Sequence, residues 1–348
     1  MADSLNQEII QLLNKELTEY RPQQINVVLN LLSEGNTVPF IARYRKEMTG
    51  TLDEVQIREI EDRYNYLENL EKRKQEVLRL IDEQGKLTEE LAQKIQQAVK
   101  VQKVEDLYRP YKQKRRTKAT IAKEKGLEPL ANLILIQMTD KSIEEEAESY
   151  VSEEKEVKNV KEAIAGASDI LAESVADEAD YRIRIRNLTV KSGSVVSSAK
   201  KENEKSVYEM YYNFEEPISK LAGHRVLALN RGEKEKILTV KINAPEEEIL
   251  SWLKRQGIRT DNPNTTPILE AVVEDSYKRL IAPAIEREIR NDLTEKAEDG
   301  SIKVFGKNLE QLLMQPPIVG KVVLGWDPAF RTGCKLAAAE RGFERIGI

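Results

Sequence analysis

TLDEVQIREIEDRYNYLENLEKRKQEVLRLIDEQG, residues 51–85, is the stretch that decides the fold class. Ile60, Tyr64, Leu67, Leu70, Val77 and Ile81 recur in steps of three, four or seven, which lays one apolar stripe along a helix whose other faces are charged. Thr51 and Glu54 have the spacing of a capping box, and Gly85 supplies a stop. A helix of roughly thirty residues is about 45 Å long, more than one small core needs. It is therefore expected to bridge subdomains of a mainly α protein.

The flanking segments agree with that class. Leu5, Ile9, Leu12 or Leu13, and Leu17 have helical spacing, and Pro22 opens a second helix that Gly35 closes. Residues 36–46 (NTVPFIARYRK) fit a turn and a short third helix. Thr88 starts another helix, and residues 127–138 read as an apolar one. Residues 141–156 hold seven glutamates against two lysines, as a solvated helix or linker would. From Val157 to Val175 apolar residues step along one face. That helical pattern continues into YRIRIRN (181–187), where the alternation also allows a strand. Residues 192–198 read as a Gly/Ser-rich break, and 237–242 (ILTVKI) as the one clear internal strand. Thr266 and Pro267 cap a last long helix with Ile281, Ile285 and Ile289 at four-residue steps. Pro283 inside it predicts a kink or junction.

Composition narrows the function classes. Charged residues make up 33% and aromatics 5%, with 12 prolines and 16 glycines, which favours long helices over a sandwich or barrel. A net charge of −5 gives no global attraction to nucleic acid, so any such binding must use a local patch. The single cysteine, Cys334, excludes a disulfide framework and is expected to be a small core residue. The single histidine, His224, argues against His-pair metal sites and a His-based triad. No stretch approaches the ~18 apolar residues of a membrane span. No cofactor or membrane contact is expected, and the chain reads as cytoplasmic.

Near the C-terminus, residues 321–335 (KVVLGWDPAFRTGCK) read as a strand, a turn at Asp327-Pro328 and a second strand. Only nine residues follow Ala339. The expectation is the opening of a sheet domain cut short, with residues 340–348 (ERGFERIGI) failing to continue the strand pattern.

The segment with most chemistry is EDLYRPYKQKRRTKATIAKEKG, residues 105–126. Between Tyr108 and Lys125 lie eight Lys/Arg, among them Lys112, Lys114, Arg115, Arg116 and Lys118, against one acid, Glu124. Convergent cations of this kind bind phosphates in a salt-dependent way, while Tyr108 and Tyr111 suit stacking on unpaired bases. The alternatives are a surface whose cations pair with the chain's own glutamates, or a plain solvated face. Arg43, Tyr44, Arg45 and Lys46 form a smaller cluster, whose arginines can face a phosphate backbone; alternatively Arg43 or Arg45 pairs with Glu47 or Asp53 to lock the domain. GSIKVFGK (300–307) lacks the glycine spacing and the Ser or Thr of a phosphate loop.

Four segments together resemble the bacterial transcription accessory protein (Tex) family: TVPFIARYRKEMTGTLDE (37–54), LYRPYKQKRRTKATIAKEKGLEPLA (107–131), HRVLALNRGEKE (224–235) and GWDPAFRTGCK (325–335). The resemblance implies a helical N-terminal region containing a helix-turn-helix-like unit, around Arg43, Arg45 and Lys46. A YqgF-type ribonuclease-H-like domain would follow, then helix-hairpin-helix repeats and an OB-fold RNA-binding domain that this sequence does not reach. It also implies association with transcription and nucleic acid. In ribonuclease-H-like folds a first-strand aspartate helps hold metal, the position of Asp327, but no carboxylate from a later strand is available to join it. Asp327 is therefore expected to be vestigial, with no catalytic residue and no metal.

The organisation expected is a helical region with the helix-turn-helix-like unit at 1–105, the basic segment and further helices at 106–190, helices with short strands at 191–315, and a truncated ribonuclease-H-like start at 318–348. The function expected is a non-enzymatic nucleic-acid-binding transcription accessory factor, with RNA or DNA as partner. The alternative is a scaffold that docks RNA polymerase or other transcription components without touching nucleic acid.

Overall fold

The computed structural model describes residues 2–113, 115–201, 205–316, 320–328, 333–340 and 344–347. By packing, the chain divides into two units, Met1–Thr189 with Pro245–Ile285 and Val190–Ala244 with Glu286–Ile348. It is mainly α, as expected.

The first unit begins with α1 (Ala2–Glu16), α2 (Pro22–Ser33), α3 (Val38–Tyr44), α4 (Lys46–Thr49) and the long α5 (Glu54–Asp82). Pro22 sits in the first turn of α2, where its missing N–H costs nothing, and Gly35 follows its end at φ +84°, a conformation glycine adopts without strain. The capping expectation for α5 was two residues early. Thr51 is itself left-handed (φ 68°), and Asp53 is the cap: its carboxylate accepts from the Gln56 amide at 2.9 Å while Gln56 Oε1 accepts from the Asp53 amide. The stripe on α5 serves two cores. Ile57, Ile60 and Leu67 pack with Leu13, Ile25 and Ile41, whereas Leu70, Val77 and Ile81 pack with residues of α6 (Glu89–Gln96) and α7 (Val101–Tyr108). Each such fully buried aliphatic contributes roughly 1.5–3 kcal/mol.

Next come α8 (Lys118–Glu124), α9 (Glu128–Ile136), α10 (Ile143–Glu148), α11 (Val160–Asp177) and α12 (Ala179–Ser192). The glutamate-rich 141–156 is more than a solvated linker, because Ile143 and Ala147 anchor α10 in the core. α11 carries Ala163, Gly166 and Ala167 towards α8 and α9, and a Cβ on Gly166 would stand 2.4 Å from Leu127 Cδ1. YRIRIRN is helical. In a strand Arg182 and Ile185 would point to opposite faces; in α12 Arg182, Ile185 and Thr189 share one buried face.

The second unit opens with β1 (Ser194–Ala199) and β2 (Asn213–Pro217), then α13 (Gly223–Lys234) and β3 (Leu238–Asn243). The expected Gly/Ser break is in fact β1, the central strand, antiparallel to both β2 and β3. Its serines are compatible with a ladder because Val195 fills the core and buried Ser197 donates its hydroxyl to the Tyr211 carbonyl at 2.5 Å. β3 is the strand expected at 237–242.

The first unit resumes with α14 (Glu246–Gly257) and α15 (Thr266–Asp275). A π-helical turn, Ser276–Ile281, then leads into α16 (Ala282–Leu313). Pro283 has no N–H to continue the ladder, and the widened turn just before it is the junction the sequence predicts. Residues 300–307 lie inside α16, in no loop. β4 (Val323–Asp327), β5 (Lys335–Glu340) and β6 (Glu344–Gly347) form an antiparallel sheet in that order. The tail therefore does continue the strand pattern, through a register shift at Ala338/Ala339. Cys334 is exposed ahead of β5, outside any core.

Candidate nucleic-acid interface

The basic strip is strung between two pinned ends. At its entry, α7 buries Val104, Leu107 and Tyr108. The Arg73 guanidinium lies 5.5 Å from the Tyr108 ring centroid, and its Nε meets Glu105 Oε1 at 2.6 Å, a bond that raises the arginine's pKa further. Asp106, also buried, accepts from Arg182 Nε at 3.1 Å and from both Arg186 terminal nitrogens at 2.9 and 3.0 Å. A 3-10 turn, Arg109–Tyr111, follows, with Arg109 3.4 Å from Asp177 and the Tyr111 carbonyl accepting from Gln84 at 2.9 Å. At the exit, Thr117 caps α8: its hydroxyl accepts from the Thr120 amide at 3.1 Å, while Thr120 Oγ1 accepts from the Thr117 amide. Ala119 and Ala122 then seat α8 in the core.

The cations of the strip and of α8 divide into two groups. Arg116 pairs with Glu124 at 2.9 Å, both side chains well exposed, and Lys123 pairs with Glu128 at 3.1 Å. Exposed pairs of this kind hold their partners weakly, by about 0–1 kcal/mol, and are easily exchanged for a phosphate. Lys112, Arg115 and Lys118 are exposed, and among the described residues none of them forms an ion pair. Lys114 lies outside the described residues. Tyr108 is a correction: buried against Leu70 and Val104, its ring is not offered for base stacking. Tyr111 is half-buried and, with Pro110 and Lys112, edges a cleft of about 550 Å³ whose other walls carry Asn132, Leu135 and Ser174.

The second cluster sits on α3–α4. Arg43 and Lys46 are exposed, and Arg45 stacks 5.1 Å over the Phe40 ring. The alternative of pairing with Glu47 or Asp53 is not what the described residues do, since no ion pair joins them and Asp53 is engaged as the α5 cap. Asp327 ends β4 opposite Lys335. Among the described residues no group of three or more His, Cys, Asp or Glu could hold a metal ion. Among those residues, too, no helix is long and apolar enough to cross a membrane.

Two arrangements escaped the sequence reading. The Asp106–Arg182–Arg186 cluster was signalled only by two arginines four apart on an otherwise buried helix face. Gln137, left-handed at φ 61°, accepts from the Arg259 and Thr260 amides at 2.9 and 3.1 Å and donates to the Gly257 carbonyl, which ties α9 to the segment after α14.

Comparison with known proteins bears on the same regions. Residues 7–82 match the Tex-like protein N-terminal domain, and residues 139–305 match the Tex central region-like family. The basic strip falls between the two matches. The chain is 57% identical over 321 residues to the uncharacterized protein YdcI of Bacillus subtilis, covering 91% of this chain and 45% of that protein. It is 37% identical over 344 residues to the transcriptional accessory protein Tex of Neisseria gonorrhoeae, covering 95% and 44%. It is 34% identical over 349 residues to the human S1 RNA-binding domain-containing protein 1, covering 96% and 35%. The chain thus spans less than half the length of these relatives. Through its N-terminal and central regions, the chain belongs to the Tex family.

Proposed function

We propose that this chain is a non-catalytic, nucleic-acid-binding transcription accessory factor of the cytoplasm, and that residues 112–118 are its contact with the phosphate backbone. The observation that carries this reading is the exposure of Lys112, Arg115 and Lys118 without ion pairs, on a strip whose two ends are fixed by buried contacts. Cations held in place lose little conformational freedom on meeting phosphates, and each phosphate neutralised releases counterions. Arg116 can exchange Glu124 for a phosphate and present its planar fork. Tyr111 flanks the strip and is the remaining aromatic for an unpaired base. The names of the relatives, a transcriptional accessory protein and an S1 RNA-binding protein, support the same class.

In this reading residues 1–105 include a helix-turn-helix-like unit, and β4–β6 are the first strands of a YqgF-type ribonuclease-H-like domain, supported by their antiparallel order. Transcription components such as RNA polymerase are the protein partners it implies. Fluorescence anisotropy with single- and double-stranded RNA and DNA, at about 50 and 200 mM salt, tests it. Binding that weakens steeply between those salts is expected. No binding of any of the four at the lower salt would contradict it.

A further inference from the structure

On α3 and α4 the exposed apolar residues are out of keeping with a surface made only for phosphates. Val38, Ile41 and Ala42 turn into the N-terminal core, leaving Phe40 and Tyr44 outward on α3, ring centroids 5.1 Å apart, and Met48 outward on α4, at 37%, 64% and 56% exposure. Single exposed apolar side chains are ordinary on a protein surface; three within nine residues, among more cations than acids, point to an interaction surface. The cations are Arg43 and Lys46, both exposed and in no ion pair among the described residues, with Arg45 between them and one exposed acid, Glu47, beside them. Tyrosine, phenylalanine, methionine and arginine are the residue types that interface cores favour.

The geometry disfavours a nucleic acid here. Arg45 covers a face of Phe40 at 5.1 Å, and the Phe40 and Tyr44 rings, 5.1 Å apart, are inclined at 46°. The two rings form no parallel pair for a base to enter, and Met48 offers aliphatic bulk where stacking needs a flat ring. The same elements suit a protein segment whose apolar side chains cover Phe40, Tyr44 and Met48 while its carboxylates meet Arg43 and Lys46.

We propose that the α3–α4 face is a docking surface for an acidic amphipathic helix of a partner protein, separate from the strip at 112–118. Charge complementarity selects that occupant: three cations against the single acid Glu47 favour a segment rich in acids, and the apolar side chains between them suit a helix with an apolar stripe. This inference does not rest on the nucleic-acid reading and can stand if that reading fails.

The test uses the full chain and a synthetic acidic helical peptide with leucine and phenylalanine on one face. A scrambled peptide of the same composition and a lysine-for-glutamate version serve as controls. Binding of the acidic amphipathic peptide alone is expected, weakened about tenfold or more by Tyr44→Ala or Met48→Ala and by the pair Arg43→Glu, Lys46→Glu. Alanine at Lys112, Arg115 and Lys118 should leave it unchanged, which separates it from the strip. The affected side chains are exposed, and matching thermal unfolding will confirm that the variants fold. The proposal is overturned if the peptide does not bind or binds the Tyr44→Ala variant equally well. It is overturned too if single-stranded RNA is the ligand that Tyr44→Ala and Met48→Ala release.

Discussion

Arg182 and Asp106, 76 residues apart, meet inside the first unit with Nε 3.1 Å from Oδ1, the arginine side chain fully buried and the aspartate nearly so. Arg186 adds a second guanidinium to the same carboxylate. Asp106 immediately precedes Leu107-Tyr108-Arg109, so this cluster fixes the end of α7 from which the basic strip departs. Removing the shared anion leaves two cations facing each other in a dry site. Asp106→Ala should therefore cost about 3–5 kcal/mol, read as a lowered urea midpoint with little change in slope. A loss under 1 kcal/mol would mean that the cluster is solvated.

Gly166 reports on how closely α11 approaches α8 and α9. A methyl group there would stand 2.4 Å from Leu127 Cδ1 and 3.3 Å from Ala122 Cβ. Leu127 is itself buried, so its side chain has little room to retreat. Gly166→Ala gains helix propensity but should still lower stability by about 1–3 kcal/mol, measurable by thermal or urea unfolding. An unchanged or raised stability would show that the helices can part without cost.

In the second unit, Arg290 grips both carboxylate oxygens of Glu233, at 2.5 and 3.1 Å, and bonds the Val240 carbonyl. Its hydrogen bond holds the Glu233 carboxyl below the ordinary value of 4.5. A depressed acid contributes stability that is complete above its unfolded pKa and is lost as the pH falls through the folded one. Wild type should thus be more stable than Glu233→Gln at neutral pH, and the gap should shrink below about pH 4.5. Thermal unfolding of the pair between pH 7 and pH 3.5 checks this. A gap independent of pH would assign the effect to shape alone.

What was legible in the sequence is what local signals specify. The stripe from Ile60 to Ile81, Pro22 with Gly35, and Thr88 before α6 each mark an element through residues within a turn or two of one another. Pro283 marked its junction because a missing N–H acts on its own helix. Apart from the α5 cap, a local signal placed two residues early, the main misreadings share a physical cause, which is dependence on distant partners. Residues 194–199 are a strand because β2 and β3 flank them, and nothing within SGSVVSSA announces those neighbours. The alternation of YRIRIRN favoured neither period until Asp106 supplied a buried partner on one helix face. In the candidate interface the cations were plain from composition, and their ion pairs were not. Tyr108 read as a stacking residue because its burial is decided by α5, where Arg73 and Leu70 cover it.

The most direct test of the central claim replaces Lys112, Arg115, Arg116 and Lys118 by alanine in the full chain and measures affinity for a short single-stranded RNA across about 50–200 mM salt. All four side chains are exposed, so the variant should fold. We expect at least about a tenfold loss at the lowest salt and a salt dependence shallower by about 0.7 per phosphate contact removed. An unchanged affinity and slope would contradict the account and move nucleic-acid contact away from this strip.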